Sequence, residues 1–218
     1  MVRLAIGLLG LAGAAVAAAL LLTGGTLWWV SVGMADEQGF IHSEPGLVDV
    51  AGYAVITGPA QIDLSEELPL RYGELATLRV QAEAVERGTE IFVGIAPPTA
   101  MDAYLTGVEH AELTGIAFEP FVATYSLHPG QTAPRLPTSE SFWEAAAYGE
   151  GAQTLSWELE AGSYALALMN ADGSPGVRAQ VTVGGRVPLL RPTGVAMLIG
   201  GSVLVSLSSI LLALALAL

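Results

Sequence analysis

The chain has 218 residues, room for one ordinary domain with additions, and a formal net charge of −13. Hydrophobic residues make up 52% and charged residues only 13%, against roughly 25% charged in an average soluble domain. So acidic a balance excludes the clustered Lys and Arg that nucleic-acid binding requires, and it disfavours adhesion to an anionic lipid surface.

Residues 4–30 carry no ionisable side chain. At ~1.5 Å rise per residue such a run exceeds the ~30 Å hydrocarbon core of a bilayer, so residues 1–30 are expected to form an N-terminal transmembrane helix. The rival reading is a signal peptide, with Arg3 as its n-region and Gly33-Met34-Ala35 at the cleavage position, removed after Ala35. Retention is favoured by length, since an h-region has ~7–15 residues. It is also favoured by Trp28-Trp29, which stand where an interfacial aromatic belt belongs and are candidate partner contacts. Gly10, Ala14 and Ala18 recur at four-residue spacing, a pattern that lets a second helix approach closely in lipid.

Residues 31–39 read as a connector and 40–185 as an extracytoplasmic domain. All 21 acidic residues and seven of the eight arginines lie between residues 31 and 191, leaving −14 there. Strict alternation in Leu78–Ala84, Leu155–Glu160 and Val177–Val183 marks half-buried strands. Tyr53–Thr57, Glu90–Ala96 and Phe121–Tyr125 read as more fully buried strands, and Tyr164–Met169, apolar on both faces, as a central one. Turns at Glu86–Thr89, Glu160–Ser163 and Asn170–Gly176 read as hairpins, the last two joining three strands into a closing meander. The predicted fold is mainly β: an antiparallel β-sandwich with a short helical insertion, flanked by N- and C-terminal transmembrane helices. The insertion starts at Pro97-Pro98-Thr99, with Thr99 as N-cap, and runs to about Leu105. A Pro-containing loop over 128–140 leads to Phe142-Trp143. Adjacent residues in a strand face opposite ways, so one of that pair is expected outside the core as a partner or lipid contact.

Residues 186–191 form a second connector, and 192–218 a second span, again without an ionisable side chain. Ser202 and Ser206, with Gly200 and Gly201 one turn earlier, are its candidate packing residues. Arg3 and the terminal amine place the N-terminus in the cytoplasm, the acidic section outside, and the C-terminus back in the cytoplasm. Each connector is under ten residues and reaches at most ~35 Å, so the domain is expected close to the bilayer.

The motifs that carry chemistry are sparse. His42, His110 and His128 show no helical metal spacing and have no cysteine beside them, so no metal or cofactor is expected. Glu109, His110 and Glu112 form the one cluster worth testing as a ligand site; Glu140 and Glu144 are read as solvated. Asp172-Gly173-Ser174 opens like a calcium loop but lacks the spaced acids that should follow, and a β-turn explains it. There is no Gly-x-Ser-x-Gly, phosphate loop or dinucleotide fingerprint. The absence of lysine, with abundant Ala, Gly, Val and Leu, suggests a GC-rich bacterial genome.

Phe92-Val93-Gly94-Ile95-Ala96-Pro97, then Tyr104-Leu105, Phe121, Phe142-Trp143 and Met169–Ser174, in that order and spacing, resemble a group of uncharacterised actinobacterial membrane proteins. These carry a single extracytoplasmic domain between two hydrophobic segments. The resemblance covers the outer domain and the start of the second span. It implies the two-pass topology and transfers no catalytic residue. The expected function is therefore a non-enzymatic accessory or interaction protein, its β-domain packed on a larger membrane complex or envelope partner. The alternative is an envelope sensor or binder of a small ligand, sugar or cation.

Overall fold

The structure is a computed structural model describing residues 2–62, 76–118 and 121–217, with only the backbone of Phe118 and Phe121. It divides into two compact units, 1–39 with 187–218, and 40–186.

The first unit is a pair of long helices, α1 (Val2–Gly33) and α3 (Leu190–Ala217), both long and apolar enough to cross a bilayer. They run antiparallel. A methyl group added at Gly10 would meet Leu212, one at Gly13 would meet Ser208, one at Gly201 would meet Leu21, and one at Gly24 would meet Met197 and the Gly194 carbonyl. The buried residues are Gly10, Ala17 and Gly24 on α1, and Gly194, Gly201, Ser208 and Ala215 on α3. Each set repeats every seven residues. Seven residues fall just short of two helical turns, so a small-residue seam of this period winds left-handed. Only side chains this small allow the Gly24 and Gly194 backbones to meet. The expected four-residue pattern is therefore corrected. Gly10 is buried and Ala14 half-buried, but Ala18, Ser202 and Ser206 are exposed. The Ser202 and Ser206 hydroxyls donate instead to Leu198 and Ser202 carbonyls one turn back on their own helix, at 2.8 and 3.0 Å. At the far end Arg3 Nε donates to the Ala215 carbonyl, 2.7 Å away, satisfying one of the acceptors that a helix C-terminus leaves open.

The second unit is mainly β. Its strands are β1 (Ile41–His42), β2 (Gly46–Val50), β3 (Ala54–Thr57), β4 (Ala60–Ile62), β5 (Thr77–Ala84), β6 (Ile91–Ala96), β7 (His110–Phe118), β8 (Phe121–His128), β9 (Ala145–Gly149), β10 (Gln153–Glu158), β11 (Gly162–Asn170) and β12 (Val177–Arg186). One sheet runs β1-β12-β5-β10, with β2 continuing beside β12 after β1. The other runs β8-β7-β3-β11-β6-β9, with β4 beside β11. The core between them draws Val80, Leu155 and Val177 from the first sheet and Val55, Val93, Ile95 and Leu168 from the second. The alternation in β5, β10 and β12 follows from this, since the other face of that sheet meets water.

The larger sheet is covered on its outer face as well. The short helix α2 (Pro98–Tyr104) and the loop behind it lay Met101, Tyr104 and Leu105 over Phe92, Ala167 and Met169. Strand β6 is therefore buried at every position, and β11 is central, as its unbroken apolar run requires.

Four expectations change. The turns after β5, β10 and β11 are not hairpins: each carries the chain from one sheet to the other, so there is no closing meander. Strand β8 is an edge strand with Val122 and Leu127 exposed, where a buried strand was expected. One neighbour pair, β3 with β7, is parallel, because the chain crosses the other sheet before β7 returns. The helical insertion stands where expected, but Pro97 caps it and Pro98 takes the first turn, where a missing N–H costs nothing.

Both ends of the β-unit lie together, since Ile41 pairs with Gly185 and His42 with Gly184.

Candidate functional site

Two residues of the sequence-derived set, His110 and Glu112, come together with His128 on the outer face of the larger sheet. Strands β7 and β8 pair antiparallel with His110 opposite His128, which sets the two rings on the same side. They stack with centroids 4.7 Å apart and planes 3° from parallel. His110 Nδ1 lies 2.8 Å from the Val108 carbonyl. A carbonyl only accepts, so Nδ1 carries the proton and a neutral His110 presents Nε2 as an acceptor. Glu112, two residues along β7 and so on the same face, places Oε2 3.2 Å from His128 Nε2. The cluster borders a cleft of about 500 Å³ shared with Thr57, Asp102 and Thr106. Such a cleft offers hydrogen-bond donors and acceptors beside an apolar floor of Ile56 and Ala165.

Glu109 does not join it. It precedes β7, its side chain is exposed, and its carbonyl accepts the Tyr53 N–H at 2.8 Å. His42 lies on the other sheet, where Phe40 stacks against it. Among the described residues no group of three or more His, Asp or Glu is placed to hold a metal ion. His128, which the sequence offers only as one of three histidines without metal spacing and not as a member of the ligand cluster, completes the group. Its signal was weak, because only the β7–β8 register brings it beside His110.

Phe142 and Trp143 are placed differently from the expectation. They lie in irregular chain before β9, not in a strand, so both turn inward and are half-buried. Trp143 packs on Phe92 at 4.9 Å and donates its indole N–H to the Pro137 carbonyl at 2.9 Å; Phe142 packs on Tyr104 at 5.4 Å. The Tyr104 hydroxyl donates to the Arg135 carbonyl. Burial, and then the Glu140 carboxylate, push its pKa up to about 12, against a smaller opposing pull from Arg135. Glu140 itself is ion-paired to Arg135 at 3.2 Å rather than solvated. This corner is a packed structural unit. The side chains of Phe118 and Phe121 lie outside the described residues.

Trp28 and Trp29 are exposed on the last turns of α1. Asp172 accepts the Ser174 N–H at 2.9 Å, closing an Asx turn, and its hydrogen bonds with Ser174 hold its carboxyl below the usual range.

No family model, curated protein or solved structure matches the chain.

Proposed function

We propose that the chain is a two-pass membrane protein whose extracytoplasmic β-sandwich is a non-enzymatic interaction module for a membrane complex or envelope protein. The observation that carries this reading is β8. Among the described residues it is hydrogen-bonded along one side only, to β7. Its eight residues expose Val122 at 51% and Leu127 at 74%. A long, apolar edge strand is a template for a strand from another chain, and proteins that do not use such an edge blunt it with charge, proline or a bulge. β8 contains no charged residue other than a histidine and no proline, and the irregularity in its ladder, between Leu113 and Gly115, lies on β7. The two-pass topology is supported by the length of both helices and by their small-residue seam.

The test is site-specific photocrosslinking in the native host. A crosslinker at Leu127 or Val122 should give one discrete adduct, and the same group at Val85, exposed elsewhere in the β-unit, should not. No adduct at either β8 position, with the protein at native level in the membrane, refutes the reading.

A second reading, a binder of a small polar ligand, is favoured by the His110–His128–Glu112 cleft. Titration of the purified protein with sugars and small cations would then shift the His110 and His128 ring resonances, and Glu112→Gln would weaken the response. Unchanged resonances across those ligands remove this reading.

A further inference from the structure

We propose that the space between the two sheets binds one hydrocarbon chain of a bilayer phospholipid. A cavity of about 470 Å³ opens between them, walled by Leu78, Trp157 and Val181 from one sheet and by Leu113, Tyr164 and Leu166 from the other. Its volume falls within the range of small-ligand sites.

The lining decides the chemistry. Three of its few polar groups are already engaged by backbone. Thr57 Oγ1 accepts the Leu166 N–H at 3.0 Å. Ser43 Oγ donates to the Glu44 carbonyl at 3.0 Å and accepts the Val183 N–H at 3.1 Å. The Tyr164 hydroxyl reaches the Ala161 carbonyl at 3.4 Å. The rest of the wall is overwhelmingly hydrocarbon, so a sugar, nucleotide or ion would lose its hydration there without replacement. Water is a poor occupant for the same reason, because a buried water needs two to four polar partners. Left to solvent entering at its open end, the wall would keep its apolar surface in water, at roughly 25 cal/mol per Å². A hydrocarbon chain meets all three constraints.

The source of the chain follows from the spans at both ends, which keep the β-unit within tether reach of lipid; here the inference leans on the membrane reading. Headgroup charge follows from the β-unit. The section 31–191 carries −14, and the charges of Glu160 and Glu144 are felt at Tyr164, on the cavity wall. An anionic headgroup would be repelled, and a zwitterionic one would not. Ala60, Ile116 and Val183, lining residues that are exposed, mark where the cavity meets solvent.

Trp157 supplies the test, because it lines the cavity while Trp143 sits on the opposite face of the larger sheet. The full chain is placed in nanodiscs of phosphatidylcholine brominated near the terminal methyl. Those bromines lie at the bilayer centre and reach Trp157 only if the acyl chain leaves the bilayer for the cavity. The expected result is loss of Trp157's share of the emission, measured as the difference between the wild type and Trp157→Phe. Ala123→Phe, which fills the cavity from β8, should remove most of that quenching. Val183→Glu, at an exposed lining position, should do the same. Unquenched Trp157 emission overturns the proposal, as does undiminished quenching in both variants when circular dichroism shows them folded. Phosphatidylcholine brominated near the carboxyl end reads Trp28 and Trp29 separately, so a failure of the membrane reading is distinguishable from a failure of this one.

Discussion

Gly94 sits in the middle of β6 with the faces of Trp143 and Phe92 laid over it. A methyl group there would stand 2.6 Å from a Trp143 ring carbon and 2.7 Å from one of Phe92. Glycine in a strand is ordinarily weak, but here it makes room for an aromatic that covers the backbone. Gly94→Ala should therefore destabilise the β-unit by about 1–3 kcal/mol in denaturant titration, the usual cost of overpacking. Tyr104 makes a second prediction, with a sign. Its folded pKa of about 12 lies above its ordinary value of 10.0, so the native state holds the phenolic proton more tightly than the unfolded chain. That stabilisation is complete below pH 10 and is lost as pH rises through 12. Tyr104→Phe should lower stability at neutral pH by about 1–2 kcal/mol, the cost of leaving the Arg135 carbonyl unpaired. It should also flatten the decline between pH 10 and 12 measured by thermal melts. At this scale residue types were legible in the sequence but partners were not. Phe142 and Trp143 stand next to each other, and only the absence of a strand there lets both turn inward.

The helix pair shows how two periodicities in one sequence compete. Gly10, Ala14 and Ala18 make a four-residue repeat; Gly10, Ala17 and Gly24 make a seven-residue one. An Ala- and Gly-rich helix contains both, and α1 alone does not choose. The partner chooses, because the small residues that α3 buries stand at 194, 201, 208 and 215. The chain has no cysteine, so introduced pairs are read cleanly. A Cβ at Gly13 would lie 3.7 Å from the Ser208 Cβ, close to the ~3.8 Å mean across a disulfide. Gly13→Cys with Ser208→Cys should crosslink under mild oxidant, seen as a mobility shift reversed by reductant. Ala18→Cys with Ser202→Cys should not. A reversed outcome would reinstate the four-residue seam. Among the strands, β9 runs against its local sequence preference. Ala145-Ala146-Ala147 favours a helix by propensity, and pairing with β6 overrides it.

At the scale of the whole molecule, the β-unit contains its own core on both sides of the larger sheet. Its two ends are hydrogen-bonded neighbours through β1 and β12, and cutting both connectors keeps that pair within the fragment. The fragment 40–186 should express without the helices and unfold in one cooperative transition, with coincident fluorescence and circular dichroism curves. Non-coincident curves, or an insoluble fragment, would mean that the β-unit needs the helices.

The sequence by itself determined the helical ends, the acidic middle, the β class of that middle and the short helix after Pro97. Each of these is local. Uninterrupted apolar length, period-two alternation and the proline ring constrain the chain within a few residues, whatever lies elsewhere. Which strands pair, which sheet each joins, the parallel β3–β7 pair and the stack of His110 on His128 were decided only by the tertiary structure. A turn of Gly and Asp reads the same whether it closes a hairpin or crosses between sheets, and the difference lies in contacts between residues far apart in the chain. The cavity between the sheets belongs to the same class. Each of its walls reads as an ordinary core strand, and only the way the two sheets meet leaves room between them.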